Sequence, residues 1–287
     1  FEIFSAAIAA YVAGIPLAHL HGGETTQGAL DEGMRHAITK MATWHFAATD
    51  AYRKRIIQLG EAPGRVFHYG APILDSVRRV PLLTREDLAK SLRFDLTGRV
   101  AVVTFHPPTL DKQPLKKQVE SLLHALVRFP LKAVFTQSNA DTGGGIINRA
   151  FADFSAKKPD RYKFVRNLGW REYVSSLAHF DLMIGNSSSG LIEAPSFKIP
   201  VVNIGDRQKG RIRAANVIDV GPSASEIERG IRLALSPRFR RRLEGLRNPY
   251  EPRANGATSR LIKDKLKTVP VSEAVLKKEF YDVAFAN

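Results

Sequence analysis

The strongest constraint on this chain is an alternation of short apolar runs with helical stretches, sustained from residue 17 to residue 204. Arg99–Phe105 (RVAVVTF) is the clearest run. It is apolar at consecutive positions rather than at every second one, the pattern of a strand covered on both faces in a parallel sheet. Further strands are predicted at Leu17–Leu20, His45–Thr49, Val66–Tyr69, Ala133–Thr136, Tyr162–Val165, Asp181–Ile184 and Val201–Ile204. Between them, Leu30, Met34, Ile38, Met41 and Trp44 recur at the spacing of one buried helical face. Helices are also predicted over Asp50–Leu59, ending at Gly60, and over Thr84–Leu92, with a helical segment at Leu191–Phe197. Strand–helix alternation of this kind predicts an α/β protein with doubly wound parallel sheets.

At 287 residues the chain is too long for one small core, and the break around Leu82–Leu96 is the natural boundary. The expected divisions are a first domain over residues 1–85, a second over 96–250, a helix over 254–267 and a tail over 270–287, packed through Phe280 and Tyr281. Phe1–Leu20 is apolar, but Glu2, Gly14 and Pro16 interrupt it and it has no basic flank. It therefore reads neither as a signal peptide nor as a membrane span. The expectation is an Ala-rich buried helix leading through Gly-Ile-Pro into a strand. Because the chain opens on Phe1, further residues are expected upstream.

Cysteine is absent, which excludes disulfides, thiolate metal sites and a cysteine nucleophile, and fits a reducing, cytoplasmic setting. The net charge of +15 suits an anionic partner, either nucleic acid or a small anionic substrate. The clusters Arg238–Arg242 and Lys263–Lys267 lack the interleaved aromatics of a single-strand stacking platform, so no nucleic-acid partner is expected. No metal is expected, because His19 and His21 are only two apart and no HxxxH pair accompanies them. A serine-hydrolase elbow, Gly-x-Ser-x-Gly, is also missing.

Ligands of open α/β sheets gather at the carboxyl ends of strands, so motifs placed there carry functional weight. Gly185–Gly190 (GNSSSG) follows a strand and precedes a helical segment. Its small residues would let the backbone approach a phosphate, although Ser187, Ser188 and Ser189 could equally be a helix cap. Glu193, one turn beyond Ser189, could accept hydrogen bonds from ribose hydroxyls. His19–Glu24 (HLHGGE) follows another strand, with Asp31 and Glu32 opening the next helix and Arg35 placed to pair with Asp31. His21, Glu24 and Asp31 beside a Gly-Gly turn suit acid–base work, though Asp31 and Glu32 also read as ordinary first-turn acids. His106, in a proline-stiffened loop after RVAVVTF, could contact an anion or shuttle a proton. Asn139 and Asp141 in QSNADTGGG suit either a turn or a ligand, and Arg207 in GDRQKGR could reach a diphosphate.

Together, HGGETTQGALDEGMRHAITK, TFHPPT, SNADTGGG, GNSSSGLIEAPSFKIPVVNIGDRQKGR and KKEFYDV occur in one order along nearly the whole chain. In this the sequence resembles the hydrolysing UDP-N-acetylglucosamine 2-epimerases of sialic acid synthesis. The resemblance implies a GT-B architecture of two Rossmann-like domains around a cleft, with the first domain incomplete here and the helix over 254–267 returning to it. It implies UDP binding by Ser187, Ser188, Ser189, Glu193, Arg207, Asn139 and His106, and catalysis by Glu24, Asp31, His21 and His106, with no cofactor. The implied reaction removes the C2 proton, expels UDP to leave a glycal, and hydrates the glycal to N-acetylmannosamine. Family members carry a catalytic Asp in a Gly-Asp-Arg upstream of the position of Phe1, and some have a Glu where this chain has His21. Either Glu24 or His21 is then the base. Dimers or tetramers are implied as the assembly. The alternatives are a GT-B glycosyltransferase and a 2-epimerase of a 4-acetamido-4,6-dideoxy nucleotide sugar for legionaminic acid.

Overall fold

The computed structural model describes residues 2–108, 110, 113–252 and 256–284. The chain divides into two compact units, one comprising residues 1–26, 30–78 and 249–287 and the other residues 27–29 and 79–248. Among the described residues no helix is long and apolar enough to cross a membrane.

The first unit begins with α1 (Glu2–Val12), β1 (Ala18–Leu20), α2 (Asp31–Met41), β2 (Trp44–Ala47), α3 (Asp50–Gln58), β3 (Val66–His68) and α4 (Ile73–Arg79, which runs into the second unit). The three strands are parallel, in the order β1-β2-β3. α3 starts where expected, because the Thr49 hydroxyl caps it by accepting from Tyr52 N–H at 3.3 Å. The α1 expectation needs correcting. Only Ala7 is buried, while Ile3, Tyr11 and Val12 are more than half exposed. α1 packs on α2, with Ala7 buried and Phe4 and Ala10 half-buried. The predicted buried face of α2 is likewise only half-buried at Met34, Ile38 and Met41, and Leu30 is exposed.

The second unit continues with α5 (Arg85–Leu92), β4 (Val100–Thr104), α6 (Leu115–Val127), β5 (Lys132–Thr136), α7 (Gly144–Lys157), β6 (Tyr162–Val165), α8 (Trp170–His179) and β7 (Leu182–Gly185). The single turn α9 (Ser189–Ile192), then β8 (Val201–Ile204), β9 (Val217–Val220), α10 (Ala224–Ala234) and α11 (Pro237–Arg242) complete it. All six strands are parallel, in the order β6-β5-β4-β7-β8-β9. β4 is buried along its whole length, as its unbroken apolar run requires. Ala101 and Val103 face a core shared with α6, α7 and α10, whereas Val100 and Val102 face one shared with α5 and α8. Burying each such valine contributes roughly 1.5–3 kcal/mol, so layers on both faces fix the strand in place. The sequence pattern does not announce β9. VIDV carries an Asp, lies at the sheet edge and is half-exposed, so it lacks the apolar run of its neighbours.

The chain then returns to the first unit as α12 (Thr258–Leu266). Asp75 of α4 caps it, its two carboxylate oxygens accepting from Thr258 N–H at 3.3 Å and Ser259 N–H at 2.6 Å. Ala254, where that helix was expected to begin, lies outside the described residues. In the tail, Phe280 is laid on Gly60 yet 64% exposed, so packing through Phe280 and Tyr281 is only partial.

Candidate active site

The first unit gathers ionisable side chains in the loop after β1. His21 has φ of +62°, a conformation that costs a non-glycine residue roughly 1–3 kcal/mol and gathers at functional sites. Gly23 follows at φ +74°, and a Cβ there would stand 2.3 Å from the Tyr52 carbonyl of α3. Only glycine lets the loop lie that close to α3. His21 N–H donates to Phe46 O of β2 at 3.1 Å, and Arg55 of α3 donates to Gly23 O.

These bonds bring His21 Nδ1 within 2.7 Å of Glu24 Oε1. Glu24 is 1% exposed and His21 33% exposed, so the carboxylate lies beneath and the imidazole faces outward. A carboxylate at Nδ1 accepts from that nitrogen and turns Nε2 outward, the logic of a carboxylate–histidine pair. Glu32 braces the loop: its Oε2 accepts from Thr26 N–H, and from Arg35 at 3.4 Å. Arg35 also donates to Glu24 O at 3.3 Å and Thr26 Oγ1 at 3.0 Å. Asp31 stands exposed at the start of α2, and the ion pair of Arg35 runs to Glu32. Below the loop, burial first and the neighbouring His45 second hold His19 down to about 3, so it is neutral.

The second unit gathers its residues at the carboxyl ends of β4 and β7. Taking β4 as first, its strand order is 3-2-1-4-5-6, and the chain reverses direction across the sheet between β4 and β7. Gly185 ends β7 at φ +135°, where a Cβ would stand 1.9 Å from Thr104 O of β4. Asn186 then clasps the other loop, accepting from His106 N–H at 2.7 Å and donating to His106 O at 2.8 Å. Each bond contributes about 1 kcal/mol net, but leaving either group buried and unpaired would cost more.

His106 Nδ1 accepts from Asn139 N–H at 3.0 Å, so Nε2 carries the ring proton. Burial, then the Arg207 charge, lower the imidazole to about 4, making it a neutral donor at ordinary pH. The Asn139 side chain donates to Asp141, the bond of a stabilised turn. Asn186 O accepts from Arg207 Nη1 at 3.3 Å and Gln208 Nε2 at 2.9 Å. Arg207 borders a cavity of about 480 Å3 with Gly28, Pro108 and Lys209.

Ser187 and Ser188 are half-buried, and Ser188 makes no side-chain cap. Ser189 differs: it is buried and its hydroxyl accepts from Tyr173, so it serves packing rather than the open loop. Burial and the nearby charge of Glu193 push the Tyr173 hydroxyl up, keeping it a donor. The structure thus gathers His106, Asn139, Ser187, Ser188 and Arg207 around one strand-end crevice, with Glu193 one short turn beyond. It brings His21 and Glu24 together in the other unit, whereas Asp31 stays apart from their hydrogen bonds. Sequence reasoning missed Asn186 and Tyr173 and gave Glu32 only a generic role. The position of Asn186 directly after a strand-end glycine was the available signal.

A parallel sheet with polar loops at such a reversal is the arrangement of a Rossmann-type α/β fold. The family model for UDP-N-acetylglucosamine 2-epimerase matches residues 1–267, and the chain belongs to that family. It is 41% identical to the polysialic acid biosynthesis protein P7 of Escherichia coli, over 99% of this chain and 71% of that protein. It is 40% identical to the GDP/UDP-N,N'-diacetylbacillosamine 2-epimerase (hydrolyzing) of Campylobacter jejuni, over 76% of this chain and 57% of that one. The fold matches the UDP-GlcNAc 2-epimerase of Neisseria meningitidis bound to UDP-GlcNAc with a TM-score of 0.78 at 18% identity, covering 93% of this chain and 73% of that one. The α/β, GT-B-type class expected from the resemblance is the class of these solved enzymes.

Proposed function

We propose that this chain is a hydrolysing 2-epimerase of a UDP-linked acetamido sugar. The observation that carries the reading is the His21–Glu24 pair, an outward imidazole on a buried carboxylate, in a chain whose relatives include enzymes named for hydrolysing 2-epimerisation. His21 Nε2 takes the C2 proton. The C1–O bond then breaks with its electron pair leaving on the diphosphate, and a C1=C2 double bond forms. Water adds its oxygen at C1, and a proton returns to C2 from the opposite face. Asp31, exposed at the start of α2, is the second acid–base group implied by the family pattern.

The diphosphate is received by the second unit. His106 Nε2–H, the Ser187 and Ser188 hydroxyls and the Arg207 guanidinium offer donors where negative charge develops. Glu193 accepts from the ribose. For the sugar, two relatives at 40% and 37% identity are named for N,N'-diacetylbacillosamine, against 26% for a UDP-N-acetylglucosamine 2-epimerase of Neisseria meningitidis. That balance favours the diacetamido sugar over UDP-N-acetylglucosamine and its product N-acetylmannosamine, in nonulosonic or sialic acid synthesis. The test is NMR of the protein with each UDP sugar, and with GDP-N,N'-diacetylbacillosamine, in the absence of an acceptor. Release of UDP with free C2-inverted sugar, fastest from UDP-N,N'-diacetylbacillosamine, is expected. Nucleotide release only when a sugar acceptor is added would instead make it a glycosyltransferase.

A further inference from the structure

The KKEFYDV motif near the chain end takes no part in the reaction above, yet its second lysine enters the interior of the first unit. Glu61, just after α3, is 2% exposed and collects three donors. Its Oε1 accepts from Lys40 Nζ at 2.6 Å, and its Oε2 from His45 Nε2 at 3.1 Å and Lys278 Nζ at 2.8 Å. Burial alone would raise this carboxyl, but the bonds from His45, Lys278 and Lys40 outweigh it and hold it at about 2. Lys278 donates further to Lys40 O at 2.9 Å and Ala42 O at 2.7 Å, and Lys40 to Leu59 O at 3.0 Å. The end of α2, the strand β2 and the end of α3 therefore meet on one ionised carboxylate.

The same three elements also hold the HGGE loop. β2 receives His21 N–H through Phe46 O, α2 holds Thr26 and Glu24 through Glu32 and Arg35, and α3 holds Gly23 through Arg55. On α2 the clasp sits at Lys40 and the loop contacts at Glu32 and Arg35, so the helix links them over roughly 8–12 Å. His45 is also paired in register with His19, whose Nδ1 would stand 2.9 Å from a Cβ on Gly22. We propose that Lys278 and Glu61 are positioning residues, a clasp through which the C-terminal segment holds these elements in the one arrangement that keeps His21 on Glu24. The proposal rests on the catalytic reading of that pair. Buried ion pairs add little net stability, and fixing one arrangement is their best-attested use.

The segment has other anchors. Arg65 donates to Val275 O at 2.9 Å and Tyr281 N–H to Gly60 O at 2.9 Å, so Lys278→Met removes the clasp without removing the segment. Lys278→Met and Lys278→Arg are compared in the full chain, at a temperature where near-ultraviolet circular dichroism shows both folded. In Lys278→Met, amide exchange at residues 22–26 should rise roughly tenfold, and kcat on the UDP sugar should fall by a similar factor. KM and UDP affinity should stay unchanged, and Lys278→Arg should restore both readings. If Lys278→Met does not fold, Lys278→Gln, which keeps donors for the two carbonyls, takes the same measurements. Wild-type exchange at residues 22–26, with changes confined to residues 270–284, would overturn the clasp. Should the wild-type protein turn over no UDP sugar, the catalytic reading falls by itself, and the exchange data still decide the clasp.

Discussion

The HGGE loop of the first unit and the GNSSSG loop of the second are built alike and equipped differently. Each follows a strand of a parallel sheet, and each contains a glycine forced by close backbone approach, Gly23 over Tyr52 O and Gly185 over Thr104 O. Around the first stand ionisable groups joined in pairs: His21 with Glu24, and Glu32 with Arg35. Around the second stand neutral donors, with Arg207 and Lys209 as nearby cations, and a histidine kept uncharged. The backbone solution is common to both, and in the proposed function the side chains divide the labour. Moving protons needs groups that change charge, whereas holding a diphosphate needs fixed donors.

The division is broken most severely at His21. His21→Gln should lower kcat by about 10²–10⁴-fold while UDP affinity stays within about twofold, read by turnover and calorimetry. A comparable loss of both would merge the two loops into one function. Next in size is Arg207→Ala, which should weaken UDP about 10–100-fold, the worth of a hydrogen bond to a charged group. The Asn186 carbonyl keeps Gln208 as a partner, so the loop itself should stay formed in that variant. Unchanged UDP affinity would remove Arg207 from the binding half.

The smallest effect concerns pH. His19 in the first unit and His106 in the second are held, by burial above all, at about 3 and about 4. Both titrate near 6.5 when unfolded, so the unfolded chain binds more protons as pH falls below that value. The stability they contribute is complete above pH 6.5 and is lost as pH falls toward the folded values. Between pH 7.5 and 5.5 each should cost about 1.4 kcal/mol, seen as a falling melting temperature. A flat profile would mean that neither imidazole is sealed as described.

Much of this was readable in the chain itself. β4 is legible because the four consecutive apolar residues Val100–Val103 call for burial on both faces, and β6 and β8 fall where their runs lie. The positions of His106, Ser187 and Ser188 just beyond β4 and β7 are legible because each motif directly follows an apolar run. What escaped depends on tertiary partners. α1 reads as buried from its alanines, yet of its residues only Ala7 is buried. Ser189 is indistinguishable from Ser188 in GNSSSG until Tyr173 claims its hydroxyl. Asp31 and Glu32 are adjacent first-turn acids, and only the path of the loop shows that Glu32 braces Thr26. The clasp on Glu61 joins residues more than two hundred positions apart, a distance over which local pattern carries no information.

The proposal that the second unit holds the nucleotide while the first performs the chemistry is tested most directly by titrating isotope-labelled protein with UDP alone. Amide shifts should concentrate at Asn139, Asn186–Ser188 and Arg207, leaving residues 21–26 near their free positions. Shifts centred on residues 21–26, with the GNSSSG loop unmoved, would contradict it.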